Sequence, residues 1–407
     1  MNLLNLNSFL KFGYFMDYKY TDFQVNFTNF DKNKYSGFEE KELVEIGQNL
    51  WFQTISKQIS NNNQNVVPLS GGLDSRAILG SLLEHKNASE IHTYTFGTPN
   101  TLDYEIGNKI AKLLGTKHKS FPLNDYVYNT KNLVEISNRI DNQTLLFLHP
   151  SVENLDLNFS EFNVWSGAII DVFFGRHKHH KIAKNLNGGI LNSINENIYS
   201  RSVNMTNIPD SELAVLFDYD FTTENLLGYE YVLDILNRQL KYIAPHVLMR
   251  GFNYKTLLDD SLIDFALSLN EKFINYQYLY KKIFLKSFPY LFSLPCKTSN
   301  GIPLNSSRTK FFMNNIKQGM KSLGGIFNKN HVNPGVNYID FNMGIRERND
   351  LKSVIYENIN DLKSRKIVEW INIEKIWKDH INNKNNHGEA LLTLASLEIH
   401  LKAGKKL

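Results

Sequence analysis

Val66-Val67-Pro68-Leu69-Ser70-Gly71-Gly72-Leu73-Asp74-Ser75 is an apolar run broken by two glycines, and a second apolar run, Arg76-Ala77-Ile78-Leu79, follows it. Val66–Leu69 reads as a short buried strand and Ser75–Leu83 as a helix. Between them, the paired glycines let the backbone turn sharply and approach a ligand with no side chain in the way. The amides of such a loop converge with the first turn of the helix on one spot, an anion site suited to pyrophosphate. Ser70 and Ser75 can add hydroxyl donors, and Asp74 can hold Mg²⁺ against the phosphates. The plain alternative is a Gly turn whose Asp74 or Ser75 caps the helix. The full six-residue string between a buried strand and a helix favours the phosphate reading. It is not a P-loop of the Gly-x-x-x-x-Gly-Lys kind, because no lysine follows the glycines.

The pattern continues outward from this turn. Ile91–Phe96 reads as a second strand, Asp103–Leu114 as a helix, Lys117–Phe121 as a third strand, and Phe162–Trp165 as a fourth that runs into Ser166-Gly167. Strands alternating with helices predict parallel βαβ units, hence an α/β fold with a doubly wound parallel sheet. Upstream, Leu43, Ile46, Leu50, Phe52, Ile55 and Ile59 recur at helical spacing over 39–59, and an Asn-rich connector follows. Residues 1–40 mix aromatic and polar residues without a helical period, which predicts an irregular arm or short strands. Beyond about residue 190 the chain becomes mainly helical. Helices are expected over Leu226–Ala244, Ser261–Ser268, Tyr276–Ser287, Leu351–Ile359, Val368–Trp377 and Glu389–Leu401, with loops over Ser299–Asn305 and Asn328–Asn342. The expected organisation is an N-terminal arm and helix over 1–60, a nucleotide-binding α/β domain over 61–190, and a helical part over 191–407 that completes the site.

Composition sets the outer bounds. With 407 residues, 42% hydrophobic and 13% aromatic, the chain can bury two sizeable cores, so dominant disorder is excluded. Counts of 45 basic and 41 acidic residues leave +4, and no basic block is interleaved with aromatics, so no nucleic acid partner is expected. Cys296 is the sole cysteine, which excludes an intrachain disulfide framework and a Cys-based zinc site and fits a cytoplasmic protein. No apolar run approaches the roughly 18–20 residues of a membrane span. Met1–Phe15 is interrupted by Asn2, Asn5 and Asn7 and has no basic flank, so it does not read as a signal peptide.

Ser70–Ser75 resembles the pyrophosphate (PP) loop of the ATP pyrophosphatase superfamily. With Pro68-Leu69 before it and Arg76–Leu79 after it, the segment is most similar to the synthetase domain of asparagine synthetase-like proteins. Other segments resemble that family in the same order. They are Tyr94-Thr95-Phe96-Gly97, the helix from Asp103 to Gly115-Thr116-Lys117-His118, Ser166-Gly167-Ala168-Ile169-Ile170-Asp171-Val172-Phe173-Phe174-Gly175, Leu257-Leu258-Asp259 with Phe265–Leu269, and Pro295-Cys296-Lys297-Thr298-Ser299-Asn300-Gly301. The resemblance implies an adenine nucleotide α-hydrolase-like fold and an AMP-forming amide ligase. In such enzymes a carboxylate attacks the α-phosphate of ATP, pyrophosphate leaves, and ammonia or an amine attacks the acyl-adenylate. By the same resemblance, Asp74 and Asp171 would hold Mg²⁺, while Ser70, Gly71, Gly72 and Ser75 would cradle pyrophosphate. Leu69, Phe96, Ser166 and Gly167 would contact the adenylate, and Lys297 would neutralise charge on the α-phosphate and the leaving group. The Gly301 neighbourhood would let the Lys297 loop close as a lid.

The sequence departs from that family in two respects. Full-length relatives expose an N-terminal nucleophilic Cys for glutamine hydrolysis, whereas position 2 here is Asn2 and Cys296 is internal. The nitrogen source is then expected to be free ammonia, an amine, or ammonia from a separate glutaminase, with residues 1–60 a remnant connector. Ala168 stands where the family has a Glu thought to deprotonate the amine, and Val172 replaces a second acid. His149, Glu153 and Tyr254 are candidate substitutes, or else the protein is an ATP-binding homologue without turnover. A specialised carboxylate such as a sugar uronate fits these departures better than aspartate, with a glutaminase-free asparagine synthetase as the alternative. Arg250 reads as a surface ion pair or a carboxylate anchor. His177-Lys178-His179-His180-Lys181 reads as a solvated basic surface or an anchor for an anionic substrate, and the lysines of Leu401–Leu407 as solvated.

Overall fold

Val66 and Val67 are neighbours in one strand, yet they belong to the cores on opposite sides of a sheet. Val164 and Trp165 divide in the same way, because successive strand residues point to opposite faces. The computed structural model describes residues 2–25, 27, 30–59, 64–176, 183–219, 228–325 and 333–407. Its main sheet contains β1 (Asn65–Pro68), β2 (Ile91–Gly97), β3 (Lys117–Pro122), β4 (Asn163–Ser166) and β5 (Asn253–Thr256). The spatial order is β3-β2-β1-β4-β5, and every pairing is parallel. A parallel sheet buried on both faces is the doubly wound architecture expected. The chain reverses its direction of winding between β1 and β4, the place where ligands settle in such sheets, beyond the carboxyl ends of the strands.

The helices that flank these strands start and stop for local reasons. Leu102–Leu114 follows Thr101, carries Asp103 and Glu105 in its first turn, and ends at Gly115 in the left-handed region (φ 75°). Glu40–Ser56 opens with a reciprocal box between Glu39 and Glu42. Asp74–Leu83 follows β1 without any side chain capping its start, so neither Asp74 nor Ser75 acts as the cap that the alternative reading required.

Several expectations are corrected. Leu3–Phe12 is a helix, hidden in the sequence because Asn5, Asn7 and Ser8 break its apolar period while being buried. Asn7 and Ser8 find partners within the helix: Asn7 Nδ2 donates to the Leu3 carbonyl at 2.9 Å, and Ser8 Oγ to the Asn5 carbonyl at 2.7 Å. The fifth strand, Asn253–Thr256, comes from the part read as helical. The structure adds helices at Thr130–Arg139, Val152–Phe159, Leu186–Glu196 and Arg308–Gly325 that the sequence pattern does not announce. Val368–Trp377 is not one helix; the helix is Ile373–Ile381, delayed by the Asn372 side chain accepting from the Lys375 N–H at 3.0 Å. Residues 226–227, at the start of the helix expected over Leu226–Ala244, lie outside the described residues. The rest of that span divides into Tyr229–Leu233, a π-helical stretch Asp234–Ile243, and the start of Ala244–Val247. The loop expected over Asn328–Asn342 falls partly outside the described residues and ends in a helix, Phe341–Glu347, capped by Asp340. The His177–Lys181 cluster also lies outside them. Among the described residues, no helix is long and apolar enough to cross a membrane.

Candidate functional site

At the carboxyl end of β1, Ser70 and Ser75 tie the turn together. The Ser70 N–H donates to Ser75 Oγ at 3.2 Å, the two hydroxyls lie 3.2 Å apart, and the Gly72 N–H donates to Ser70 Oγ at 3.2 Å. The loop borders a cavity of about 490 Å³ lined by Leu69, Ser70, Gly72, Asp74, Ser75 and Phe96 together with Asp171 and Lys297. Gly71 lies behind the wall. Its N–H donates to Asp103 Oδ1 at 3.2 Å, and its carbonyl accepts from the Lys297 N–H at 2.8 Å. A Cβ at Gly71 would stand 2.9 Å from the Leu102 carbonyl and 3.2 Å from Lys297 Cβ, so only glycine admits both neighbours.

Ser166 and Gly167, at the end of β4, line a second cavity of about 200 Å³. Pro68, Ser75, Tyr94 and Phe96 line both spaces. A Cβ on Gly167 would fall 2.4 Å from that of Asp74, so this glycine lets the end of β4 close on Asp74. Two residues later Ile169 has φ 73°, a strained value for a β-branched residue, and the short helix Ile170–Phe173 that carries Asp171 starts from it.

The electrostatics centre on two carboxylates. Burial pushes the Asp74 carboxyl up to about 7, with the negative charge of Asp171 adding to the effect. Burial also raises Asp171, against the opposing pull of Arg176. Arg176 Nη1 donates to Asp171 Oδ2 at 2.6 Å, and Tyr280 Oη donates to Asp74 Oδ1 at 2.5 Å. Two acids beside one guanidinium in a poorly solvated place resist full ionisation together, and a bound cation would favour their charged forms. Among the described residues no group of three or more His, Cys, Asp or Glu side chains could hold a metal. Two carboxylates do match Mg²⁺, which takes few protein ligands and fills its shell with phosphate oxygens and water.

Lys297 sits on a tight reversal between the short antiparallel pieces Pro295–Cys296 and Ile302–Pro303. Asn300 (φ 52°) and Gly301 (φ 86°) make the turn. The segment is docked, with the Lys297 ammonium paired to Asp103 Oδ2. Asp103, which the sequence presents only as an ordinary helix-start acid, therefore bridges Lys297 and the Gly71-Gly72 turn. Asn337 likewise escapes sequence reasoning. It lines the first cavity, and its Nδ2 donates to the Phe96 carbonyl at 3.0 Å. A Cβ at Gly97 (φ 151°) would meet Asn337 Oδ1 at 2.0 Å. Neither Asn337, Tyr280 nor Gln277, which also borders the cavity, stands in a readable motif.

The candidate substitutes for the family Glu fare unequally. Ala168 is half-buried against the first core, and its N–H donates to Ser166 Oγ at 3.2 Å. Glu153 is exposed on Val152–Phe159 and lines neither cavity. His149 and Tyr254 line the second cavity, where burial lowers the imidazole to about 4 and raises the phenol, so neither is a ready base at neutral pH. Arg250 is an exposed ion-pair partner of Asp141.

The asparagine synthase family model matches residues 53–140, the stretch that holds the Ser70–Ser75 turn, β1 to β3 and the helices between them. Residues 53–140 are thus similar to the asparagine synthase family. Asp171 and Lys297 lie beyond the matched asparagine synthase segment and meet it only in the fold. No curated protein matches the chain.

Proposed function

We propose that this protein is an AMP-forming ligase that adenylates a carboxylate and passes the acyl group to ammonia or an amine. The observation that supports it best is the convergence of the Gly71-Gly72 turn, the Asp74–Asp171 pair and Lys297 on one cavity, from three separated parts of the chain. The β- and γ-phosphates of ATP lie against the loop amides and the Ser70 and Ser75 hydroxyls. A carboxylate oxygen attacks the α-phosphorus, the bond to the bridging oxygen breaks, and pyrophosphate departs. The nitrogen nucleophile then attacks the acyl carbon, AMP leaves, and the nitrogen loses a proton. Lys297 offsets the charge that grows on the α-phosphate and the leaving group. Asp74 and Asp171 would hold Mg²⁺, whose charge would screen the pyrophosphate.

Ala168 shapes the second half-reaction. With no carboxylate at that position, the nucleophile that fits is one arriving unprotonated, either free ammonia, including that released by a separate glutaminase, or a weakly basic amine. A specialised acid such as a sugar uronate remains the favoured carboxylate. Incubation with ATP, Mg²⁺ and a panel of uronates, aspartate and other acids is expected to release pyrophosphate for one class of acid, and hydroxylamine should trap its acyl-adenylate as a hydroxamate. Ala168 also favours a second reading, a nucleotide-binding homologue without turnover. Tight ATP binding with no pyrophosphate release across the panel would establish that reading instead.

A further inference from the structure

The second cavity opens off the first past Pro68, Ser75, Tyr94 and Phe96. Flat, uncharged rings dominate its walls, among them Trp165, Tyr254 and Tyr338. One polar atom there has no partner. His149 is 2% exposed and its ring lines the cavity, yet its Nε2 makes no hydrogen bond. The Leu145 carbonyl accepts from the same ring, which assigns the proton to Nδ1 and leaves Nε2 a bare acceptor. Burial holds the ring neutral at physiological pH, so that acceptor persists.

The loop bearing His149 is fixed from several sides. Gln143 Nε2 donates to the Phe15 carbonyl at 2.5 Å and to the Lys241 carbonyl at 2.9 Å. The Leu146 N–H donates to Ser396 Oγ at 3.3 Å. The His246 ring lies 4.0 Å from that of His149, centre to centre, and is itself bonded to Thr144 Oγ1 at 2.9 Å. A buried acceptor held this firmly and left unmet costs stability that a ligand donor can restore.

We propose that His149 reads the nucleotide base: its Nε2 accepts a hydrogen bond from the exocyclic amine of a 6-aminopurine lying flat in the ring-walled cavity. The inference rests on the ATP-ligase reading and adds what the PP-loop cannot supply, since every nucleoside triphosphate carries the same phosphates. A 6-oxopurine sets its carbonyl against the Nε2 lone pair. A purine without a 6-substituent leaves that lone pair unmet.

Calorimetric titration of the full chain, in Mg²⁺, with ATP, GTP and purine riboside triphosphate tests the assignment. ATP is expected to bind about tenfold more tightly than the 6-unsubstituted analogue, and GTP more weakly still. In His149→Leu, ATP should fall about tenfold to the affinity of that analogue, whose own affinity barely changes. His149→Gln keeps a side-chain carbonyl and should recover part of the preference. Equal affinity of the wild type for ATP and the analogue, or a preference that survives His149→Leu, overturns the assignment and leaves the ligase reading standing. Failure of the wild type to bind any of the three nucleotides or inorganic pyrophosphate overturns both. The wild-type arm needs no variant, so it decides the matter even if the Leu variant does not fold.

Discussion

The two cavities adjoin and share four residues, yet they are built from opposite materials. The larger gathers Asp74, Asp103, Asp171, Arg176 and Lys297, so its character is set by charge. The smaller is walled by Tyr94, Phe96, Trp165, Tyr254 and Tyr338, with neutral imidazoles and the Ser75 and Ser166 hydroxyls as its uncharged polar groups. A charged wall suits groups whose charge changes during a reaction, and a neutral flat wall suits a ring that must be recognised without reacting. On the proposed reading, chemistry and selection are divided between these neighbouring spaces.

The largest effect that tests this division is expected at Lys297. Lys297→Ala should lower pyrophosphate release about 10²–10³-fold, as loss of one stabilising group at a developing charge does. The preference for ATP over GTP should be unchanged, because it belongs to the other cavity. Steady-state rates beside nucleotide titrations measure both, and a lost base preference would break the division.

A nearly comparable loss, in stability rather than rate, is expected at Arg76. This side chain is fully buried, and burial lowers its guanidinium. Nη1 donates to the Leu291 carbonyl at 2.9 Å and Nη2 to the Pro295 carbonyl at 2.7 Å, with the Phe292 ring 5.3 Å away. The helix that follows the Gly71-Gly72 turn therefore grips the segment that delivers Lys297. Arg76→Leu would strand both carbonyls and should cost about 3 kcal/mol in denaturant unfolding. It should also lower pyrophosphate release in the fraction that remains folded.

The same contrast explains what the sequence could disclose. A turn built from successive backbone amides must be written as a contiguous string, so Ser70–Ser75, the proposed phosphate site, is readable, as are β1 to β4 with the helices after β1 and β2. Asp171 and Lys297 are reached only through family likeness, since one acid and one lysine carry no local signal. Asp103 passes as a helix-start acid, and Asn337 lies in a stretch that reads only as loop. The ring-walled cavity draws on positions from 68 to 338 with no spacing to detect. His149 is named in the sequence only as a substitute base, because its bare Nε2 exists only once Leu145, His246 and the surrounding loop are in place. The Leu3–Phe12 helix stays hidden for a related reason, its buried Asn5 and Asn7 being satisfied by partners that periodicity cannot see.

Asp103 offers a finer probe of the charged cavity. Its carboxylate pairs with Lys297, the cation that an incoming phosphate would use, and accepts from the Gly71 N–H behind the wall. Asp103→Asn removes a negative charge from an anion site, so inorganic pyrophosphate should bind roughly three- to fivefold more tightly, in keeping with the modest strength of a partly solvated ion pair. Turnover should fall in the same variant, because Lys297 is then less firmly placed. Tighter pyrophosphate without slower turnover would show that Asp103 only competes with phosphate and does not position the lysine.

The smallest expected effect concerns the unliganded protein in chelator. The Asp74 carboxyl is raised from its ordinary 3.8 to about 7 by burial and by Asp171. Between those values the unfolded chain has released this proton while the folded chain retains it, so folding takes up a proton and stability falls as pH rises. The contribution is fully present below about pH 4, is lost as pH climbs through about 7, and is flat above that. Solvent in the cavity moderates it, so the melting temperature should drop on the order of 2 °C between pH 5 and pH 8. Asp74→Asn should flatten that slope, whereas His149→Leu, which removes a neutral group from the other cavity, should leave it in place. A slope unchanged in Asp74→Asn would mean that the charge strain assigned to the phosphate cavity resides elsewhere.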